Sequence, residues 1–88
     1  MAHFAKMNGN IVEQVIVIAN DDCDNLPFPE SEPVGQAFIA SINLSGNWLQ
    51  TSYSASFRGL YAGIGDIFEP NLGEYGEFVG PPLTPPEA

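Results

Sequence analysis

Asn8-Gly9-Asn10 lies between two runs of strand-forming residues, Ala2 to Met7 and Ile11 to Ala19, and this arrangement limits how the chain can begin to fold. Gly and Asn reach the positive φ angles of a tight turn at little cost, so an Asn-Gly pair between apolar runs reads as a β-hairpin. The second run carries Ile11, Val12, Val15, Ile16, Val17 and Ile18 around Glu13 and Gln14. β-Branched side chains suit a pleated surface better than a helix. Their density from Val15 to Ile18 predicts a strand covered on both faces.

Beyond the hairpin, Asn20 to Glu32 is rich in Asp, Asn and Pro and reads as a loop, with Leu26 and Phe28 pinning it to the core. Ser31 is placed to cap a helix, with Glu32 near its positive end and Pro33 tolerated in the first turn. Val34, Ala37, Phe38, Ser41 and Ile42 follow a helical stripe, and Gly46 is expected to end it. The alternation from Trp48 to Tyr53 predicts a further strand, and Ser54 to Gly59 a polar turn. Tyr61 to Gly65 is too glycine-rich for a strand interior and suggests a bulge or a close backbone approach. Ile67-Phe68 and Phe78-Val79 flank Pro70-Asn71-Leu72-Gly73 as a second hairpin. The expected fold is α+β: a small antiparallel β-sheet built from the N-terminal hairpin and later short strands, with one short helix. Residues 1–80 would form a single small domain and residues 81–88 an extended, proline-rich tail. Val15, Val17, Phe38, Ile42 and Leu49 are the expected core.

A chain of 88 residues buries a small core. Its one cysteine, Cys23, allows no internal disulfide, and no Cys or His spacing suggests a metal. No cofactor is expected, and packing against a partner or copies of itself is the remaining source of stability. Lys6 and Arg58 stand against eleven carboxylates, a formal net charge of −9. Phosphate binding draws its affinity from Lys and Arg, so direct nucleic-acid binding is not expected, nor is adsorption to an anionic membrane. The longest apolar run, Val15 to Ala19, is far too short to span a bilayer, and no targeting segment is evident. The acid excess suits a soluble surface or a basic partner. Cys23 beside Asp21, Asp22 and Asp24 reads as an idle loop thiol suited to a reducing cytoplasm.

No residue set converges on catalysis, and the chain is not expected to be an enzyme. His3, the one histidine, has no sequence-placed carboxylate or nucleophile and reads as a half-exposed packing residue. The Asp21, Asp22, Asp24 cluster lacks the spacing of a calcium loop and reads as a solvated turn. Gly63-Ile64-Gly65 is a fragment of a phosphate fingerprint without the helix or lysine such a site needs. Arg58, between Phe57 and Tyr61, would either stack and pair within the chain or contact another subunit. Aromatics and arginine make good interface anchors, and a proline segment docks at low ordering cost. Phe57, Arg58, Tyr61, Ile64, Phe78, Val79, Pro81, Pro82, Pro85 and Pro86 are therefore the expected interface.

Three segments carry a resemblance. MAHFAKMNGNIVEQVIVIAN, GNWLQTSYSASFRGLYAGIGDIF and Phe78-Val79-Gly80-Pro81-Pro82 resemble small virion-associated structural proteins of tailed phages that infect cyanobacteria and other marine bacteria. The chain departs from their pattern after the diproline, where a Tyr-Pro-Ser-Trp element is missing, and in the loop Asp21 to Glu32. The resemblance implies a virion protein assembled in the host cytoplasm. Its partners would be the major capsid protein or other virion structural proteins. Size, acidity and the missing catalytic set favour a capsid decoration or cement protein on the outer surface of the head. A tail or tail-fibre adaptor is the structural alternative. A non-virion acidic protein that binds a host factor is the alternative of another class.

Overall fold

The computed structural model describes residues 1–80. Strands β1 (Ala2–Asn8) and β2 (Ile11–Ile18) form the N-terminal hairpin, and a 3-10 turn (Asn20–Cys23) leads toward helix α1 (Ser31–Ser41). Strands β3 (Asn47–Thr51), β4 (Ile67–Glu69) and β5 (Glu77–Val79) follow. All five join one antiparallel sheet in the order β3-β1-β2-β4-β5, an α+β fold. Asn8 pairs with Ile11, so Gly9 and Asn10 are the two loop residues. Gly9 sits at φ +65° in the first loop position, where a type II′ turn needs glycine.

Strand alternation sends side chains of the central hairpin to two separate clusters, one on each face of the sheet. On one face Ala2, Phe4, Ile18 and Trp48 meet Ile39 of α1 and Cys23 of the 3-10 turn. On the other, Ala5, Met7 and Val12 meet Ala62 and Phe78 from the C-terminal part of the chain. A shift of register between Lys6 and Met7 lets the strand pair bend where the second cluster begins.

Several expectations need correction. The helix buries Ser31, Gly35 and Ile39, a stripe rotated from the expected Val34, Ala37, Phe38, Ser41, Ile42 set. The reason is Gly35. A Cβ there would lie 2.3 Å from the Phe4 ring, so its missing side chain lets the helix backbone settle onto the sheet. Ile42 is consequently 47% exposed, and Phe38 only packs against the margin of the cluster. Val17 is also 47% exposed, so β2 is not covered on both faces along its whole length. Val15 and Leu49 are half-buried beside the second cluster, as its periphery rather than its centre. Ser31 does not cap α1. It lies inside the first turn and donates its hydroxyl to Gln50 Oε1 at 2.6 Å. The helix ends at Ser41, before Gly46, where Asn43 takes the left-handed conformation. β3 runs Asn47–Thr51, ending before Tyr53.

Candidate functional site

Strand alternation puts His3 and Thr51 opposite one another on the second face of the sheet, and His3 opposite Val17 on the other side. The chain leaves β3 at Thr51 and returns through Tyr61 and Ala62. There the Ala62 N–H donates to Thr51 Oγ1 at 2.9 Å, and the Gly65 N–H donates to the Val12 carbonyl at 2.8 Å. These two bonds fix the glycine-rich segment against the sheet. The glycines do not mark a close approach, since a Cβ at Gly65 would meet nothing within 4 Å; Gly65 instead takes a positive φ of 94°.

The result is an aromatic patch at one end of that face. The His3 ring stacks on Tyr53 with centroids 5.4 Å apart and meets the edge of Tyr61 at 5.5 Å, while the two tyrosines lie 5.2 Å from each other. Tyr53 is 72% exposed, and Tyr61, Leu60 and Val17 are also exposed large side chains. Ile64, further along the same segment, is 76% exposed. Burial, and secondarily the charge of the chain's N-terminus, hold the His3 imidazole below its ordinary value, so it is a neutral ring at neutral pH. A shallow cleft of about 330 Å³ borders the patch, lined in part by Met1, His3, Ser52, Tyr53 and Phe57. Ser52 Oγ in its wall lies 3.2 Å from Ser54 Oγ and 2.9 Å from Ser56 Oγ, the last outside the cleft.

Of the other residues expected at an interface, several are committed inside the chain. Arg58 bonds both carboxylate oxygens of Glu32, and its side chain is 8% exposed. It also donates to the Gln50 carbonyl at 3.1 Å and to the Tyr75 carbonyl at 3.0 Å. Phe57 stacks face to face on Phe28 at 3.9 Å, and the Arg58 guanidinium lies 5.0 Å from the same Phe28 ring. Phe78 is 1% exposed and belongs to the core, with Val79 half-buried beside it. Tyr61 and Ile64 face solvent. Pro81, Pro82, Pro85 and Pro86 lie outside the described residues.

Sequence reasoning singled out neither Tyr53 nor His3 as part of a surface patch. No local signal joins residues 3, 53 and 61; the pairing of β1 with β3 brings the first two together, and the Ala62–Thr51 bond brings Tyr61 to them. Cys23 is a core side chain rather than a loop thiol. Burial first, then Asp22 and Asp24, raise its thiol above the ordinary value. Among the described residues no group of three or more His, Cys, Asp or Glu side chains is placed to hold a metal ion, and no helix is long and apolar enough to cross a membrane. Comparison with protein-family models, curated proteins and solved structures finds no match for this chain.

Proposed function

We propose that this chain is an accessory structural protein of a phage virion, a non-enzymatic decoration or cement subunit that binds the major capsid protein on the outside of the head. The observation that carries the docking part of this reading is the His3, Tyr53, Tyr61 patch, in which the exposed rings of Tyr53 and Tyr61 pack against one another and against His3 of β1. Tyr supplies large contact area with few rotatable bonds, which is why it is enriched where binding energy concentrates. The virion part rests on the resemblance of the N-terminal, central and Phe78–Pro82 segments. The charge distribution agrees with an outward-facing subunit: Glu13, Asp21, Asp24, Glu30 and Glu74 are exposed, so the solvent face would be hydrophilic and neighbouring particles would repel.

Rebinding to particles that lack the protein tests this reading. Purified chain should bind them saturably, and replacing Tyr53 and Tyr61 together by Ala should weaken binding at least about tenfold. Moderate salt should weaken it less, because charges at a rim mainly affect rate. Undiminished binding of the double variant, or release by moderate salt alone, would contradict it.

A further inference from the structure

The edges of this sheet are not treated alike. Along β3 the Trp48 carbonyl and both backbone groups of Gln50 are taken. Gln36 Nε2 donates to the Trp48 carbonyl at 2.6 Å, the Gln50 N–H donates to Glu32 Oε2 at 2.8 Å, and Arg58 donates to the Gln50 carbonyl. β5 is closed as well, since the Phe78 N–H donates to the Arg58 carbonyl at 2.8 Å and Gly59 bridges to Phe78. β2 differs. Its partner β4 meets it at Ile11, with the Val12 N–H donating to the Asp66 carbonyl at 2.9 Å. Beyond that point, among the described residues, no hydrogen bond reaches the outer side of β2 from Gln14 to Ile18.

Which groups are left free follows from the register. Trp48 and Gln50 turn their backbone groups away from β1, so Leu49 and Ala5 are the mutually bonded pair. Phe4 then turns toward β2 and bonds its partner Ile16, which leaves Val15 and Val17 with their N–H and C=O groups pointing outward. An unpaired edge is normally blunted by Lys, Pro, a covering element or an inward charge. Val15, Ile16, Val17 and Ile18 include none of these side chains. Val17 also sits directly across from His3, so the open edge is continuous with the aromatic patch.

We propose that the outward edge of β2 at Val15 and Val17 is a strand-docking site. Its occupant is an extended segment of a partner protein, apolar or β-branched in its centre and flanked by Lys or Arg. The main-chain groups supply the ladder and the flanking bases answer the local charge, since Glu13 precedes the edge and Asp21, Asp22 and Asp24 follow it. A second copy fits less well because it brings another −9 and the same acidic residues. Residues 81–88 fit less well because four of them are proline and have no N–H to donate. The inference names how the partner of the preceding reading is held, and it rests on that reading only for there being a protein partner.

The test uses the isolated full chain and a heptapeptide of alternating valine and threonine with a lysine at each end, followed by amide-resolved NMR. The peptide should shift the Val15 and Val17 amides and slow their exchange. A version with glutamate ends should bind at least about tenfold more weakly. Val17→Pro removes an outward N–H without touching the β1 ladder and should abolish peptide binding. Val17→Lys, an exposed substitution, should weaken it with the hairpin signals unchanged. Binding that leaves Val15 and Val17 unaffected, or that survives both substitutions, overturns the site. Protection of both amides without peptide also overturns it: in favour of a second copy if protection rises with protein concentration, and of the tail if it disappears on truncation after Gly80. Because no particles are used, failure here is separate from failure of the virion reading.

Discussion

Arg58 and Glu32, 26 positions apart in the chain, form a largely enclosed ion pair in which both carboxylate oxygens accept from the guanidinium. The pair joins the first turn of α1 to the segment that precedes the second hairpin. The same arginine satisfies the Gln50 and Tyr75 carbonyls, while the Glu32 carboxylate takes the Gln50 N–H. Arg58 adopts a left-handed backbone at φ 57°, uncommon for a side chain of its size, and Gly59 follows at φ +73° with the Phe78 carbonyl 2.9 Å from where a Cβ would stand. One residue therefore contacts two sheet edges, β3 with its side chain and β5 with its carbonyl.

Breaking that pair should be costly. Arg58→Ala or Glu32→Gln should lower unfolding free energy by about 3–5 kcal/mol, because each strands a buried charge or its acceptors. Replacing both partners by apolar residues often restores a buried pair's stability. Here Arg58→Met with Glu32→Leu should not, since Gln50 N–H and C=O and the Tyr75 carbonyl would remain unanswered. Urea unfolding of the two single variants and the double variant checks this. Recovery to wild-type stability in the double variant would show that the edge bonds contribute little.

The seating of the helix gives a second expectation. Gly35→Ala should destabilise by about 1–3 kcal/mol by driving a methyl into the buried Phe4 ring. Phe4→Ala should cost about 3–5 kcal/mol, whereas the exposed Ile42→Ala should stay within about 0.5 kcal/mol. Thermal or urea unfolding of the three variants measures the order, and a large loss at Ile42 would put the helix stripe where periodicity first placed it.

The hairpin, the helix and the second hairpin were legible because each rests on local chemistry: a Gly at a two-residue turn, β-branched density, a 3.6-residue stripe. What was not legible depended on distant partners. The rotation of α1 comes from Phe4 needing the space at Gly35, and glycine leaves no mark in a hydrophobic stripe. Glu32 read as a helix-terminus acid because nothing near it in sequence points to Arg58. Phe78 and Tyr61 look equally suited to an interface as residue types; the pairing of β4 with β5 buries one, and the segment returning across β3 exposes the other.

Stability should depend on pH through His3 and Cys23. The folded state holds His3 below its ordinary value, so the unfolded chain binds the proton more readily. Stability from this group is full above about pH 6.5 and is lost as pH falls from there toward the lower folded value. Cys23 acts on the alkaline side: its thiol is raised in the fold, so the unfolded chain releases the proton first and stability falls as pH rises past about 8.5. Urea midpoints across this range should flatten below pH 6.5 in His3→Gln and above pH 8.5 in Cys23→Ala. Unchanged slopes in both variants would assign the pH dependence to other groups.

The proposed role, a structural subunit of a virion head held by an exposed aromatic face, sets the abundance of the chain in particles. Quantitative mass spectrometry of purified phage particles, from lysates in which the chain is expressed, tests the proposed virion role most directly. The chain should be present in a fixed, high ratio to the major capsid protein and be retained through gradient purification. Its absence from the particles, or a copy number far below that of the capsid protein, would contradict it.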